Sequence, residues 1–280
     1  MKPLVIYHKD CFDGITAAWI ADRYFKMNPA LIDWIPEFIP ATYGDKPPNV
    51  KGKDVFILDF SYPYDVLVEV ARASQSILVL DHHKTAQQDL QGLPYAIFDM
   101  NKSGAGMAWD WFFVGSPRPP LITVIEDRDL WRFSLPYTRE AMAWIATVPH
   151  DLKSWDDLMG DSLEKIIERG KSIMKYIEAY GIKAREHRRV ETIAGFQVPT
   201  MNIPYMNCSE HLHALMNYYD RLMLTYDFVA SYFLRGDNKW QFSLRSRGDF
   251  DVSEIAKQFG GGGHRNSAGF TVDTLPWKSS

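Results

Sequence analysis

The chain has 280 residues, a formal net charge of −4, 46% apolar residues and 14% aromatic residues. This length and composition predict one large or two modest domains with well-filled cores, and the negative charge argues against the coating of long nucleic acids. The 2 cysteines exclude a disulfide framework. Neither a signal-peptide pattern nor an apolar segment of membrane-spanning length is evident, so we expect a soluble, cytoplasmic protein without a membrane partner.

Three short apolar runs in the first third of the chain are typical of strands buried on both faces of a parallel sheet. They cover residues 4–7, 55–58 and 77–80 and are followed by His8, by Asp59 and by the tripeptide Asp81-His82-His83. In open α/β sheets the loops leaving the carboxyl ends of the strands converge, and ligands bind there. The sequence therefore predicts a functional site at this edge of the sheet.

The segments between these runs complete an alternating α/β pattern. We predict helices after His8, with Asp13 as N-cap, over residues 64–73 and from Ser103. Further strands are predicted over residues 31–39 and 95–98, with a Pro/Gly/Lys-rich loop over residues 43–53. The apolar segment 121–126 leads to Asp127 and Asp129, and the pattern leaves open whether it is a helix or a strand.

The second half begins with a charged helical pattern over residues 162–190, which suits a connector between domains. It is followed by β-like runs at 194–198, 228–234 and 240–244, by helices near 210–218 and 253–259, and by the glycine-rich stretch Gly260–Gly269. We predict an α/β protein with a parallel-sheet N-terminal domain covered by helices on both faces (1–160), a helical connector (161–190) and a smaller mixed α/β C-terminal domain (191–280).

Nitrogen and oxygen ligands are contributed by separate elements of the first domain: His8, Asp13, Asp59, His82 and Asp127. Carboxylates combined with imidazoles favour Mn²⁺, with Mg²⁺ or Fe²⁺ as second choices, over a structural zinc site. The number of carboxylates suggests two ions, which a carboxylate such as Asp59 can bridge when they lie roughly 3.5–4 Å apart.

A second candidate site is the polyglycine turn. Its exposed backbone N–H groups allow close approach of a phosphate or nucleotide, and flanking side chains add donors. The residues are Gly261, Gly262, Gly263, His264 and Arg265. A flexible turn without a ligand is the open alternative.

Together these stretches resemble the DHH phosphoesterase superfamily, named for the tripeptide found here at residues 81–83. His8 to Gly14, Asp59, the tripeptide and Asp127 resemble its metal-site motifs, and residues 243–246 with Gly260–Gly269 resemble its DHH-associated substrate-binding domain. The resemblance implies two manganese ions, with Asp81 orienting His82 and with His83 facing the scissile phosphate. It also implies that Arg245 and Ser246 bind substrate. A local ion pair of Arg245 with Asp249 or Asp251 is the alternative.

One position departs from the family pattern, in which two carboxylates separated by one residue precede the glycine of the first motif. Here Cys11 occupies the place of the first carboxylate. Asp10 could substitute for it, Cys11 could coordinate as a thiolate, the first ion could be bound weakly, or Cys11 could be a buried filler. Asp127 and Asp129 are likewise alternative ligands at the last motif.

The resemblance implies a manganese-dependent phosphodiesterase that converts short oligonucleotides or linear or cyclic dinucleotides to 5′-nucleotides. Polyphosphate and nucleoside 3′,5′-bisphosphates are alternative substrates, because the metals recognise phosphate and not the base. A nucleotide-sensing regulator without metal is the alternative from another functional class. For the assembly, a homodimer is an open alternative.

Overall fold

The computed structural model describes residues 2–28, 35–204 and 208–277 of the chain. The chain divides into two compact units, Met1–Ile173 and Met174–Ser280. The strands of the first unit are β1 (Pro3–His8), β2 (Glu37–Ala41), β3 (Asp54–Leu58), β4 (Ser76–Asp81) and β5 (Ala96–Phe98). Its helices are α1 (Phe12–Met27), α2 (Tyr64–Ala73), α3 (Lys84–Asp89), α4 (Gly104–Phe112), α5 (Pro120–Asp129), α6 (Thr138–Ile145) and α7 (Leu152–Gly160).

The five strands of the first unit form a parallel sheet in the order β2-β1-β3-β4-β5. The chain moves from β1 to β2 on one side and then crosses to β3 on the other side of β1. The direction of winding therefore reverses between β1 and β3. Ligands bind outside the carboxyl ends of strands at such reversal points, which here are the ends carrying His8 and Asp59.

Helices cover both faces of this sheet. Successive residues of a strand point to opposite faces, so β1 contributes to two hydrophobic clusters. Val5 and Tyr7 of β1 belong to a hydrophobic cluster with residues of α1, α4 and α5. Leu4 and Ile6 belong to a second cluster, in which Leu67 of α2 is buried. The predicted fold class, a parallel sheet with helices on both faces, is confirmed for this unit.

The helix α8 (Leu163–Glu186) contains the point at which the chain divides into its two units. The second unit continues with β6 (Arg189–Ile193), β7 (Phe196–Asn202), α9 (Cys208–Arg221), β8 (Phe228–Leu234), β9 (Trp240–Ser246), α10 (Val252–Lys257), β10 (Gly262–His264) and β11 (Ser267–Val272). Its sheet has the order β10-β11-β9-β8-β7-β6. Only the β7–β8 pair is parallel among the described strand pairs of this sheet, so the sheet is mixed. The smaller α/β unit that was predicted for this part of the chain is confirmed.

Some predicted elements have different bounds in the structure. The predicted strand 31–39 lies partly outside the described residues, and the described strand begins at Glu37. Segment 121–126 belongs to the helix α5. The predicted connector helix ends at Glu186, and β6 begins at Arg189 with an alternation of exposed and less exposed residues that is typical of an edge strand.

Candidate metal centre

Asp59 lies at the centre of a polar cluster at the carboxyl edge of the first sheet. It follows β3 directly and has a left-handed backbone with φ of 57°, which an Asp tolerates better than most residues. Its Oδ2 lies 3.4 Å from Nδ1 of His8, at the end of β1, and its Oδ1 lies 3.1 Å from Nε2 of His82, which follows β4. The carboxylate of Asp59 therefore contacts imidazoles from the two neighbouring strands, one with each oxygen.

His82 links Asp59 to two further carboxylates that come from helices. Its Nε2 is 3.7 Å from Oδ2 of Asp13, in the first turn of α1, and 3.4 Å from Oδ2 of Asp129, the last residue of α5. His82, Asp59 and Asp13 are buried. The sheet edge and the ends of two helices thus bring four of the polar side chains into direct contact.

Two groups of side chains at this edge could each hold a metal ion. One consists of His8, Asp59 and His83, and the other of Asp13, His82 and Asp129; within each group the ligand atoms lie within 4.8 Å of one another. Asp59 belongs to the first group and contacts His82 of the second. The distribution of donors therefore fits a pair of ions that share the carboxylate of Asp59.

The chemistry of the donors also fits divalent cations. His8 Nδ1 and Asp59 Oδ2 are buried, and neither makes a hydrogen bond of good geometry with a described residue. Buried polar atoms without hydrogen bonds cost free energy, which a metal ion bound to both atoms would offset. Imidazole and carboxylate donors suit manganese, iron and magnesium better than a closed structural zinc site.

The electrostatics of the cluster reflect crowded negative charge. Burial would raise the pKa of Asp59, but its contacts with His8 and His82 outweigh burial and hold this pKa well below the ordinary range. Burial lowers the pKa of His82, yet Asp59 above all, with Asp129 and Asp13, raises it to about 10. Burial and the neighbouring carboxylates raise the pKa of Asp13. The carboxylates of the cluster therefore favour a positive charge on His82.

Asp129, and not Asp127, lies in this cluster. Both carboxylate oxygens of Asp127 accept hydrogen bonds from the segment that follows α5: Oδ1 accepts from Ser134 N at 2.8 Å, and Oδ2 accepts from the hydroxyl of Thr138. The expectation that Asp127 is a ligand is therefore replaced by the proposal that Asp129 has this role. Residues 127 and 129 are almost opposite on a helix, so only one of them can face the sheet edge.

The role expected for Asp81 also changes. Its Oδ1 accepts hydrogen bonds from His83 Nδ1 at 2.6 Å and from the backbone N–H of His82 at 2.7 Å. Asp81 therefore orients the ring of His83, whereas the resemblance implied that it orients the ring of His82. With Nδ1 of His83 held by Asp81, its Nε2 is directed away from this carboxylate.

Asp10 and Cys11, the two alternative ligands of the first motif, differ in solvent exposure. Asp10 is exposed, has a φ of 53° and belongs to neither ligand group. Cys11 is partly buried, and burial first, and then Asp59, Asp129 and Asp13, raise the pKa of its thiol. Cys11 also belongs to neither ligand group, so its coordination of a metal ion stays a prediction.

The amino terminus of α4 was not foreseen as part of this site. The backbone N–H groups of Gly104 and Ala105 donate to the two carboxylate oxygens of Asp13, the latter at 3.0 Å. Ser103 caps the helix by accepting from the N–H of Gly106 at 3.1 Å. The run of small residues after Ser103 was the available signal, because small side chains permit close approach of another segment.

The predicted substrate-binding residues of the second unit separate into two sets. Arg245 and Gly261, Gly262 and Gly263 line a cavity of about 450 Å³. The Arg245 guanidinium donates to Ser209 Oγ at 2.6 Å and to Leu244 O at 2.7 Å. It is therefore directed to α9, and the suggested ion pair with Asp249 is formed instead by Arg265, at 3.2 Å.

Ser246, His264 and Arg265 do not line this cavity. Ser246 is buried, donates from Oγ to Phe250 O at 2.7 Å and accepts from Asn266 at 2.9 Å. The hydroxyl of Ser246 therefore fixes the turn after β9, and its role in substrate binding stays a prediction. His264 is exposed at the end of β10, and Arg265 is exposed beside Asp249.

Residues 204–277 match the DHHA1 domain family. The chain is 34% identical over 293 aligned positions to the uncharacterized protein R106 of Acanthamoeba polyphaga mimivirus, with coverage of 97% of this chain and 68% of that protein. Among the described residues, no helix has the length and apolarity needed to cross a membrane.

Solved structures with a similar fold include the pGpG-specific phosphodiesterase PggH of Vibrio cholerae, with a TM-score of 0.57, 14% identity and coverage of 97% of this chain and 93% of that one. RecJ of Thermus thermophilus in complex with Mn²⁺ has a TM-score of 0.56 and 16% identity; 97% of this chain aligns with 49% of RecJ. An exopolyphosphatase-related protein of Bacteroides fragilis has a TM-score of 0.55 and 14% identity, with coverage of 98% and 87%. These likenesses establish a shared fold.

Proposed function

The chain belongs to the DHH phosphoesterase superfamily, and we propose that it is a manganese-dependent phosphodiesterase that hydrolyses short oligonucleotides or dinucleotides to 5′-nucleotides. The observation that carries this proposal is the contact of the two Asp59 oxygens with His8 and with His82. A carboxylate shared by two ligand groups is the arrangement that a two-ion hydrolytic site requires.

Two divalent ions, when bound, activate water and neutralise charge on the phosphoryl group. His8 and Asp59 of the first group would hold one ion, and Asp13, His82 and Asp129 would hold the other. Asp13 is fixed for this role by the amides of Gly104 and Ala105, so its carboxylate needs little reorganisation. His83 is the side chain that we assign to the scissile phosphate, because Asp81 holds its Nδ1 and fixes the ring.

We assign the grip on the rest of the substrate to the second unit. Its cavity combines Arg245 with the backbone of Gly261–Gly263, and both are suited to phosphate. Gly263 has a φ of 144°, and a Cβ there would lie 2.5 Å from Ser267 O, so this position excludes other residues. The fixed glycine backbone keeps one wall of the cavity without side chains.

Hydrolysis of polyphosphate is the second candidate, favoured by the structural likeness to the exopolyphosphatase-related protein. A panel of substrates with Mn²⁺ separates the candidates: two- to five-residue oligoribonucleotides, cyclic dinucleotides, a nucleoside 3′,5′-bisphosphate and polyphosphate. We expect the highest kcat/KM on the dinucleotide and short oligonucleotides. Highest activity on polyphosphate would replace the proposed substrate, and inactivity on every member with manganese bound would contradict the proposed function.

The matched variants for this panel are Asp59→Asn and Asp65→Asn. Asp59 lies in the buried cluster, whereas Asp65 is an exposed carboxylate in the first turn of α2. We expect Asp59→Asn to lose hydrolysis of every substrate and Asp65→Asn to retain the wild-type rates. Equal rates for both variants would show that the observed hydrolysis does not occur at this site.

A further inference from the structure

The turn that follows α5 contains two aromatic residues with unusual backbone conformations. Trp131 has a φ of 55° and Phe133 a φ of 47°, in the left-handed region that bulky side chains rarely adopt. Such conformations are energetically costly and persist where the surroundings enforce them, often at functional sites. We call residues 131–133 the aromatic turn.

Buried Asp127 enforces the conformation of the aromatic turn. Its backbone carbonyl accepts hydrogen bonds from the N–H groups of Arg132, at 2.9 Å, and Phe133, at 3.3 Å. Its carboxylate accepts from Ser134 and Thr138, directly beyond the turn. The backbone carbonyl of Asp127 thus fixes the aromatic turn itself, and its carboxylate fixes the residues that follow the turn.

The aromatic turn is also attached to the metal centre. It begins two residues after Asp129, whose Oδ2 is 3.4 Å from His82. Arg132 donates from Nη2 to Asn101 O at 2.5 Å, in the segment that leads to α4. Glu126 accepts from Ser103 N at 3.0 Å and lies 3.7 Å from Arg132 Nη1. These contacts hold the turn against the same backbone that binds Asp13.

The side chains of the turn have the composition of a surface that binds nucleotides. Trp131 and Phe133 are partly exposed, pack edge to face at 4.8 Å, and lie outside the hydrophobic clusters of the described part of this unit. The Arg128 guanidinium is 5.9 Å from the Trp131 ring centre, and that of Arg139 is 4.1 Å from the Phe133 ring centre. Aromatic rings interleaved with arginines bind bases by stacking and phosphates by charge.

We propose that the aromatic turn stacks on a base of the substrate next to the metal centre, so that the enzyme selects nucleotides over polyphosphate. This inference rests on the proposed function, because it assigns the substrate class of the same site. Polyphosphate offers no base, and an aromatic surface held in a costly backbone conformation would add nothing to its recognition. The phosphate-binding groups alone do not distinguish the two substrates.

The test compares a 5′-phosphorylated diadenylate with its abasic counterpart, which carries the same phosphates without bases. Binding is measured by calorimetry with Ca²⁺ in place of Mn²⁺, and kcat/KM is measured with Mn²⁺. The variants are Trp131→Asn and Phe133→Asn, because Asn tolerates a left-handed backbone. Trp131→Phe retains an aromatic ring, and Trp111→Asn is the control, because Trp111 on α4 is 47% exposed.

We expect the wild type to prefer the diadenylate by at least about tenfold, in line with the loss of roughly 5- to 150-fold that follows removal of one stacking ring. The two Asn variants at the turn should lose this preference while keeping the wild-type manganese content and abasic rates. Trp131→Phe should retain most of it, and Trp111→Asn all of it.

An unchanged preference in both turn variants, an equal loss on both substrates, or a wild type without any preference would overturn the inference. The proposed function fails separately. If the wild type hydrolyses neither substrate but binds the diadenylate preferentially through Trp131, stacking is supported and phosphodiester hydrolysis is contradicted. If the wild type hydrolyses the diadenylate and Trp131→Asn leaves its preference over the abasic counterpart unchanged, hydrolysis is supported and stacking is overturned.

Discussion

Gly104 lies directly against Asp59, so closely that a Cβ at position 104 would come within 2.4 Å of the Asp59 Cβ. The N–H of Gly104 also donates to Asp13. One glycine therefore supports a residue from each of the two ligand groups. This double contact links the backbone of α4 to the geometry of the metal centre.

Gly104→Ala should impair the metal centre and the fold together. The added methyl group must displace Asp59 or the start of α4, and overpacking of this kind costs about 1–3 kcal/mol. We expect a lower melting temperature and weaker manganese binding by calorimetry. Gly160→Ala is the control, because a Cβ there meets no atom within 4 Å. Wild-type manganese affinity in Gly104→Ala would contradict the close contact.

Asp129→Asn and Asp127→Asn should have different effects although the two residues are close in sequence. Asp129→Asn removes a carboxylate from the group around His82, so we expect weaker metal binding with little change in stability. Asp127→Asn disturbs a buried acceptor of hydrogen bonds from Ser134 and Thr138, which should cost about 1–3 kcal/mol of unfolding free energy.

Calorimetric manganese titration and chemical denaturation of both variants measure these effects. The assignment of Asp129 fails if Asp127→Asn loses the metal under conditions where it is fully folded and Asp129→Asn binds it normally. Ser134→Ala serves as the companion of Asp127→Asn, because it removes one donor to Asp127 without changing the charge near the metals.

Substitutions at Asp10 and Cys11 test which of the two residues contributes to metal binding. Because Asp10 is exposed and belongs to neither ligand group, we expect Asp10→Ala to keep nearly full manganese-supported activity. Cys11→Asp should retain or raise that activity, since a carboxylate suits manganese better than a buried thiol whose pKa is raised. Loss of activity in Asp10→Ala with the fold intact would assign the ligand to Asp10 instead.

Arg245 should contribute more to the hydrolysis of a dinucleotide than to that of a small generic diester. Removing a charged donor to phosphate costs roughly 1.5–3 kcal/mol, or about 10- to 150-fold in kcat/KM. We expect such a loss for Arg245→Ala on the dinucleotide, with a smaller loss on bis(p-nitrophenyl) phosphate. Ser209→Ala is the control, because it removes the anchor of the guanidinium and retains its charge. Equal losses on both substrates would assign Arg245 to folding.

The carboxyl ends of the strands could be predicted, because a strand buried on both faces leaves a local signal, a short run of apolar residues. Short apolar runs mark the strands, and His8, Asp59 and Asp81 follow from where those runs end. The parallel order of the strands then brings the tips to one edge. The fold class and the meeting of His8, Asp59 and His82 at one edge of the sheet were therefore accessible from the sequence.

Contacts between segments that are distant along the chain could not be predicted from the sequence. The bond from the Gly104 N–H to Asp13 joins residues 91 positions apart, and no local pattern reports it. The choice of Asp129 over Asp127 depends on α5 being a helix, which a short apolar run left open. Ser246 resembled a substrate ligand by position, but its hydroxyl is occupied by the turn that it fixes.

We propose that Asp59 joins two metal ions, and a manganese titration followed by electron paramagnetic resonance tests this bridge. For the wild type we predict two ions per chain and a spin-coupled spectrum, because a shared carboxylate holds ions roughly 3.5–4 Å apart. Asp59→Asn should bind fewer ions and lose the coupling. A single ion per chain, or two uncoupled ions in a fully active wild type, would contradict the bridging role of Asp59.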